Sequence, residues 1–361
     1  MRTGRFKRSG TGLEIKLSVI FITYNHEKYV EKALRSVLSQ ETDFDFEVVI
    51  GEDCSTDNTR SIIERTLEDY PERKGLVRLN FRRENSGRPT LNVYETTKLC
   101  VGEYLAYLEG DDYWSDPKKL QKQVDFLESH REYIGCTHTC VMIDENGEEI
   151  RDPGLLKAGE LYDWSGAFTF EDFKYSGRWA GHYATLVSRN IYPQEKYDYT
   201  ILYRAHDFVD DAVILLFLLI QGELFRMDET MSAWRYVRKK GGGNWNSLAM
   251  ERNLIRDDCY LSQKIMKWVE DSVGLSEYSK IRAKKDFGTA LKYWLKKPDR
   301  DNYRFLKDMY EYNMKEVVYK GKRTTLFTCS LKMIADRLFH PGRSKFLKPV
   351  KGERGRACRR L

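Results

Sequence analysis

The feature that most narrows the fold of this chain is a regular alternation of apolar runs and helix-patterned segments between Leu17 and Leu108. Leu17 to Thr23 (LSVIFIT) is a short, β-branched run, the mark of a buried strand. Tyr29 to Leu38 then sets Val30, Leu34, Val37 and Leu38 on one helical face. Phe46 to Ile50 reads as a second strand and Arg60 to Tyr70 as a second helix. Leu76 to Phe81 is a third strand, Thr90 to Cys100 a third helix and Tyr104 to Leu108 a fourth strand. Strands alternating with helices of this length predict βαβ units and a parallel sheet with right-handed crossovers. Ligands of such sheets bind beyond the carboxyl ends of the strands, where the strand order reverses. Three of the four strands run into polar loops at that end: Thr23 to Glu27, Glu52 to Asp57 and Glu109 to Asp112.

The last of these loops, within Tyr107-Leu108-Glu109-Gly110-Asp111-Asp112-Tyr113-Trp114, sets three carboxylates and a glycine at the end of a strand. Such a cluster repels itself and raises at least one carboxyl pKa. A divalent cation relieves that repulsion. Mg²⁺ and Mn²⁺ prefer oxygen ligands, and Mg²⁺ commonly combines one or two carboxylates with substrate phosphates and water. The pattern therefore points either to a metal that bridges to a diphosphate or to an exposed acidic turn, and the residues alone leave both open.

Four such segments, in this order, resemble glycosyltransferase family 2. Ser18 to Asn25 (SVIFITYN) resembles that family's opening strand and tyrosine-asparagine pair, and Gly51 to Thr59 (GEDCSTDNT) its aspartate-rich nucleotide loop. Glu109-Gly110-Asp111-Asp112 resembles its aspartate-x-aspartate element with glutamate in first place, and Asp116 to Leu127 (DPKKLQKQVDFL) the helix that follows. The resemblance spans roughly residues 17–240. It implies an α/β, GT-A-type, Rossmann-like and mostly parallel sheet flanked by helices, and an inverting, metal-dependent transfer from a nucleoside diphosphate sugar with uridine as the expected nucleoside. By the same resemblance Tyr24 stacks on the base, Asp53 bonds the base edge and Glu27 contacts ribose or base. Glu109 reaches the ribose, and Asp111 with Asp112 holds Mg²⁺ or Mn²⁺ on the diphosphate. For Tyr24 a core position is the alternative, and for Glu27 a charge favoured by a helix N-terminus. Glu52 and Glu109 depart from the family by one methylene each, and Ile22 stands where many members carry proline.

Transfer also needs a base that takes a proton from the acceptor hydroxyl. Gln221 to Arg235 is similar to the family's closing strand. Counting back from it puts Asp211 at the base position, with Asp210 as the near alternative; an acidic pair capping a helix N-terminus is the competing structural reading. His182 reads as a structural histidine that could instead line an acceptor pocket, and Gly241-Gly242-Gly243 behind Arg238-Lys239-Lys240 as a flap over the leaving diphosphate.

The remainder of the chain bounds its class. Asn146-Gly147 signals a hairpin turn. Cys136-Thr-His138-Thr-Cys140 alternates as a strand does and reads as strand thiols rather than a zinc clip. Seven scattered cysteines point to reduced thiols and a cytosolic setting. The longest apolar run, Ala212 to Ile220, is about half of the ~20 residues of a membrane span, and the basic N-terminus has no apolar signal region. Ala249 to Val269 and Lys280 to Leu295 carry helical spacing. We expect a basic tail at 1–15, a transferase domain at 16–244, a helical appendage at 245–335 and a basic tail at 336–361. From Lys320 to Leu361 thirteen Lys or Arg stand against Asp336 and Glu353, so the rest of the chain is mildly acidic although the whole carries +6. That stretch is expected to contact anionic membrane at the inner face, with a glycan or lipid-linked sugar as acceptor and no nucleic acid as partner, since its end offers only Phe339 and Phe346 for stacking. The rivals are a nucleotidyltransferase, which would want a glycine-rich phosphate loop where Thr23 to Glu27 has none, and a nucleotide-sugar-binding module without activity.

Overall fold

The computed structural model describes residues 14–151, 164–175, 180–208, 211–237, 254–274 and 276–318. Residues up to 173 and from 178 to 251 form one compact unit, and 174–177 with 252 onward form a second.

The first unit is built on one twisted sheet. Its strands are β1 (Leu17–Thr23), β2 (Phe46–Glu52), β3 (Val77–Phe81), β4 (Tyr104–Glu109), β5 (Tyr113–Trp114), β6 (Tyr133–Ile143), β7 (Gly166–Phe168), β8 (Val187–Arg189) and β9 (Glu223–Arg235). They lie in the order β3-β2-β1-β4-β8-β6-β9-β5, with β7 also on β9. The four expected strands pair in parallel, β1 with β2 and β4, and β2 with β3. Helices α1 (Val30–Leu38), α2 (Thr59–Glu68) and α3 (Pro89–Thr97) make the crossovers, and α4 (Lys119–Ser129) follows β5. Every residue of β1 and β2 is buried, the usual state of parallel strands covered on both faces. The α1 face buried against them is Val30, Ala33, Leu34, Val37 and Leu38, the expected stripe with one alanine added. Chain order runs outward from β1 to β2 and β3, then returns to β4 on the other side of β1. The reversal therefore lies between β1 and β4, where Ile22 faces Glu109 across the ladder.

Beyond β4 the sheet is mixed. The short β8 is antiparallel to both β4 and β6, β6 runs parallel to β9, and β5 is antiparallel to the end of β9. The apolar run after Asp211 is the helix Asp211–Leu219, with Val213 to Leu219 all buried. Asn146-Gly147 sits in a turn, Gly147 at φ +90°, closed by a single bridge between Ile143 and Glu149. Among the described residues no helix is long and apolar enough to cross a membrane.

The second unit is helical over its described part: Leu254–Val273, Ser276–Lys296, Arg300–Met309 and a π-helical segment Tyr310–Val318. Cys259, Ala290, Phe305 and Met309 pack together, as do Phe287, Leu291 and Met314. Gly241 to Gly243, Asp210 and the basic stretches 1–13 and 319–361 lie outside the described residues.

Candidate functional site

Three loops meet at the carboxyl ends of β1, β2 and β4, and their contacts explain why each has its residues. The turn after β4 is pressed onto the end of β1: Gly110 N donates to Ile22 O at 2.8 Å. A Cβ on Gly110 would stand 2.5 Å from Thr23 Oγ1 and 2.9 Å from His26 Nδ1, so only glycine fits between the carboxylates. The turn brings ligand atoms of Glu109, Asp111 and Asp112 within 4.8 Å of one another, the one such grouping among the described residues.

Asp112 is 2% exposed. Its Oδ1 accepts from Arg235 N at 2.7 Å, while its Oδ2 has no hydrogen-bond donor among the described residues. Burial, and then the neighbouring Asp111 charge, push its carboxyl well above the usual carboxylate range, against the pull of Arg235. His182 Nδ1 stands 3.7 Å from Oδ2. Burial drives the His182 pKa down to about 3, so the ring is neutral at physiological pH, and Nδ1 accepts from Ala184 N. Two acceptors thus face each other, an arrangement that a proton or a cation relieves. An unpaired buried acceptor costs about 1–3 kcal/mol, so the carboxylates present fit a divalent cation. His182 is fixed from its other face by stacking on Trp234, ring centroids 4.7 Å apart.

Two groups at this turn escaped the sequence reading. Arg235 is buried; besides Asp112 it binds Asp111 O through Nε at 2.9 Å and Asp144 O through Nη1 at 2.7 Å, and it lies 4.2 Å over the Tyr29 ring. His26 holds Nδ1 3.2 Å from Thr23 Oγ1 and Nε2 4.0 Å from Asp111 Oδ2. Arg235 had no local signal, because its partners lie more than 90 residues upstream. His26 had only its place in the polar loop after β1.

The loops after β1 and β2 lock onto each other. Asn25 and Cys54 both take left-handed backbone angles, φ 54° and 58°. Asn25 Oδ1 accepts from Thr56 N at 2.8 Å, and Asn25 N donates to Ser55 Oγ at 2.9 Å. Glu27 Oε2 accepts from Asn58 N and Nδ2, and Glu27 N donates to Asp57 Oδ2. Glu27 therefore braces the second loop, and helix α1 begins three residues later at Val30. Tyr24 is 37% exposed at the rim of this cleft, which removes the core alternative for that ring. Glu52 is fully buried and paired with Arg60, its other oxygen accepting from Ser55 N. Its extra methylene serves the loop.

Asp53 sits at the end of β2, 3% exposed. Oδ1 accepts from Ser86 N at 3.0 Å and Oδ2 from Ser86 Oγ at 2.7 Å, with Arg82 Nε 3.1 Å away. Burial raises its carboxyl pKa against those hydrogen bonds and the Arg82 charge. Asp211 is the exposed first residue of its helix, and its Oδ1 accepts from the adjacent Ala212 N at 2.6 Å. It also lines a small cavity with Thr137, Gly181, His182, Ile214 and Leu215. His182 is thus shared between that cavity and the acidic turn. The 136–140 thiols lie in β6, with Cys136 and His138 buried and His138 Nε2 3.3 Å from Ser232 Oγ, and they form no metal grouping.

Comparison with known proteins matches the family model described as glycosyl transferase family 2 to residues 18–184. The uncharacterized protein Rv1520 of Mycobacterium tuberculosis is 42% identical over 245 residues, 65% of this chain and 62% of that protein. The chain thus spans under two thirds of the length of this relative. The uncharacterized glycosyltransferase alr2836 of Nostoc is 34% identical over 136 residues, 38% of this chain and 40% of that one. Among solved structures, Staphylococcus aureus TarS 1-349 in complex with UDP-GlcNAc superposes at a TM-score of 0.59 and 18% identity, covering 90% of this chain and 89% of that one. At that identity the likeness speaks for the fold, the GT-A arrangement that the motifs imply.

Proposed function

This chain belongs to glycosyl transferase family 2 through residues 18–184, and from that membership we propose that it transfers a sugar from a uridine diphosphate donor to a hydroxyl of a glycan or lipid-linked acceptor, with inversion. The observation that carries the reading is the buried Asp112 Oδ2 without a donor, inside a cluster of three carboxylates at the reversal between β1 and β4. The binding of UDP-GlcNAc by the similarly folded TarS supports a uridine donor.

In this reading the exposed Tyr24 ring stacks on the base, and base stacking of this kind is worth about 1–3 kcal/mol. Asp53 holds the loop that lines the base and offers its remaining lone pairs to the base edge. Glu27 keeps the ribose side of the cleft closed through Asn58, and Glu109 faces the ribose. Asp111 and Asp112 would hold Mg²⁺ or Mn²⁺, which would supply positive charge to neutralise the diphosphate. Asp211 takes the acceptor proton as its oxygen attacks the anomeric carbon on the side opposite the diphosphate; Asp210 is the alternative base. His182, with its pKa depressed to about 3 by burial, is a weak acceptor for that proton. It holds the floor between the two carboxylate centres. The basic stretch 320–361 docks on anionic lipid; a chain ending at Ser330 should lose co-sedimentation with anionic vesicles, and retained sedimentation would exclude the tail as anchor.

The test is release of the free nucleotide from a panel of UDP-, GDP- and dTDP-sugars with Mn²⁺, with nuclear magnetic resonance of the released sugar. Turnover confined to one uridine donor, with an α anomer as first product from a β donor or the reverse, supports the proposal. Retention at the anomeric carbon, or turnover with no sugar nucleotide at all, would sink it.

A further inference from the structure

The stretch between β3 and α3 touches both ends of the cleft. At one end Ser86 Oγ donates to Asp53 Oδ2 at 2.7 Å and accepts from Arg88 N at 3.1 Å. At the other, Arg88 Nε binds Asp207 Oδ1 at 2.8 Å and Arg88 Nη2 binds Tyr203 O at 2.6 Å, with the guanidinium 5.6 Å over the Tyr203 ring. Thr90, fully buried at the start of α3, repeats the link to the backbone of that segment: its N donates to Asp207 O at 3.2 Å and its Oγ1 to His206 O at 2.8 Å. Helix α3 cannot shift to accommodate a change at either end. Asn92 Nδ2 donates to Gly51 O, and a Cβ on Gly51 would collide with Thr96 and Asn92. Asp207 stands four residues before Asp211.

We infer that Arg88 is a positioning residue, which ties the base-side loop at Asp53 to the 203–207 segment and so sets Asp211 against the bound donor. The inference rests on the reading of Asp211 as the base. Arg88 and Asp207 are partly exposed, at 38% and 55% of their side chains, and an ion pair of that kind adds little to stability. Its worth is geometric. The guanidinium presents fixed, coplanar donors to a carboxylate and a carbonyl together, a geometry that a lysine ammonium does not pre-organise. A bound base that orders Asp53 and Ser86 therefore also orders the segment that leads into the helix of Asp211.

Two measurements test this on the full chain with UDP-GlcNAc and Mn²⁺ as probe. The first is UDP release. Arg88→Ala and Asp207→Ala should each lower the rate at saturating donor roughly tenfold to a hundredfold, with the donor KM changed less than about threefold, and the double variant should be no worse than either single. Arg88→Lys should recover only part of the loss. If Asp211→Asn abolishes turnover while Arg88→Ala leaves it intact, the tether is wrong and the base reading stands. If Asp211→Asn itself turns over normally, the base reading has failed. The second is amide hydrogen exchange, which needs no turnover. UDP with Mn²⁺ should protect residues 201–208 in the wild type and not in Arg88→Ala. Equal protection in both chains, or none in the wild type, overturns the inference.

Discussion

The acidic turn Glu109–Asp112 and the start of the helix at Asp211 carry the same chemical group in opposite settings. In the turn, Asp112 is buried, one oxygen is fixed on Arg235 N and the other has no donor. Asp211 is exposed at the start of its helix, with Oδ1 on the adjacent Ala212 N. The first centre is fixed by its own protein contacts, and burial beside Asp111 disfavours the charged form of Asp112. The second stays accessible to whatever brings a hydroxyl. If, as proposed, the turn binds the donor and Asp211 serves the acceptor, the two ends should respond differently to mutation, and the predictions follow that division.

The largest effect is expected at the open end. Asp211→Asn should lower turnover by about 10²- to 10⁴-fold while leaving the UDP dissociation constant unchanged, measured by initial rates and calorimetry on the same preparation. Equal losses in binding and rate would erase the distinction between the two centres. Next comes a cost built into the fixed end. Lys119, at the start of α4, is fully buried 4.3 Å from the Trp114 ring, and its Nζ has no hydrogen-bond partner in the structure. Burial pushes its pKa down to about 7. The unfolded chain binds that proton and the folded chain does not, from pH 7 up to the ordinary lysine value, so stability should rise with pH through that window, by at most about 1.4 kcal/mol per unit. Lys119→Met should remove this rise in denaturant titrations at pH 7, 8 and 9, and a slope unchanged by the substitution would place the titrating group elsewhere.

Gly110→Ala should destabilise the metal-free protein by about 1–3 kcal/mol, because the added methyl meets Thr23 and His26, and the melting temperature reads it directly. A neutral outcome would mean that the turn is softer than its contacts indicate. Tyr24→Ala is expected to raise the UDP dissociation constant about tenfold, with no change in melting temperature without ligand, since the ring is exposed. A loss of stability there would return Tyr24 to a structural part.

The fixed end was also the legible end. The strands β1 to β4, the α1 stripe and the three polar loops follow from periodicity and turn chemistry, which are local. The carboxylates gathered at β4 were readable because three adjacent residues supply them. What could not be read is pairing at a distance. Val187–Arg189 is too short to announce a strand, yet β8 joins β4 to β6. Glu27 with Asn58, Arg235 with Asp112 and Arg88 with Asp207 are each visible as residues, but nothing local says that they meet. Asp53 shows the same limit from the other side, since its motif suggested a free hydrogen-bonding edge and the fold had already engaged both oxygens with Ser86.

The most direct test of the account is the melting temperature of the wild type and of Asp111→Asn with UDP, each with and without Mn²⁺. A ligand of the folded state adds about 2.7 kcal/mol at a hundredfold excess over its dissociation constant. The account predicts an upward shift in the wild type that needs both UDP and Mn²⁺ and that disappears in Asp111→Asn. A shift of equal size without the metal, or one that survives in Asp111→Asn, would contradict the claim that the acidic turn holds the cation on which the donor binds.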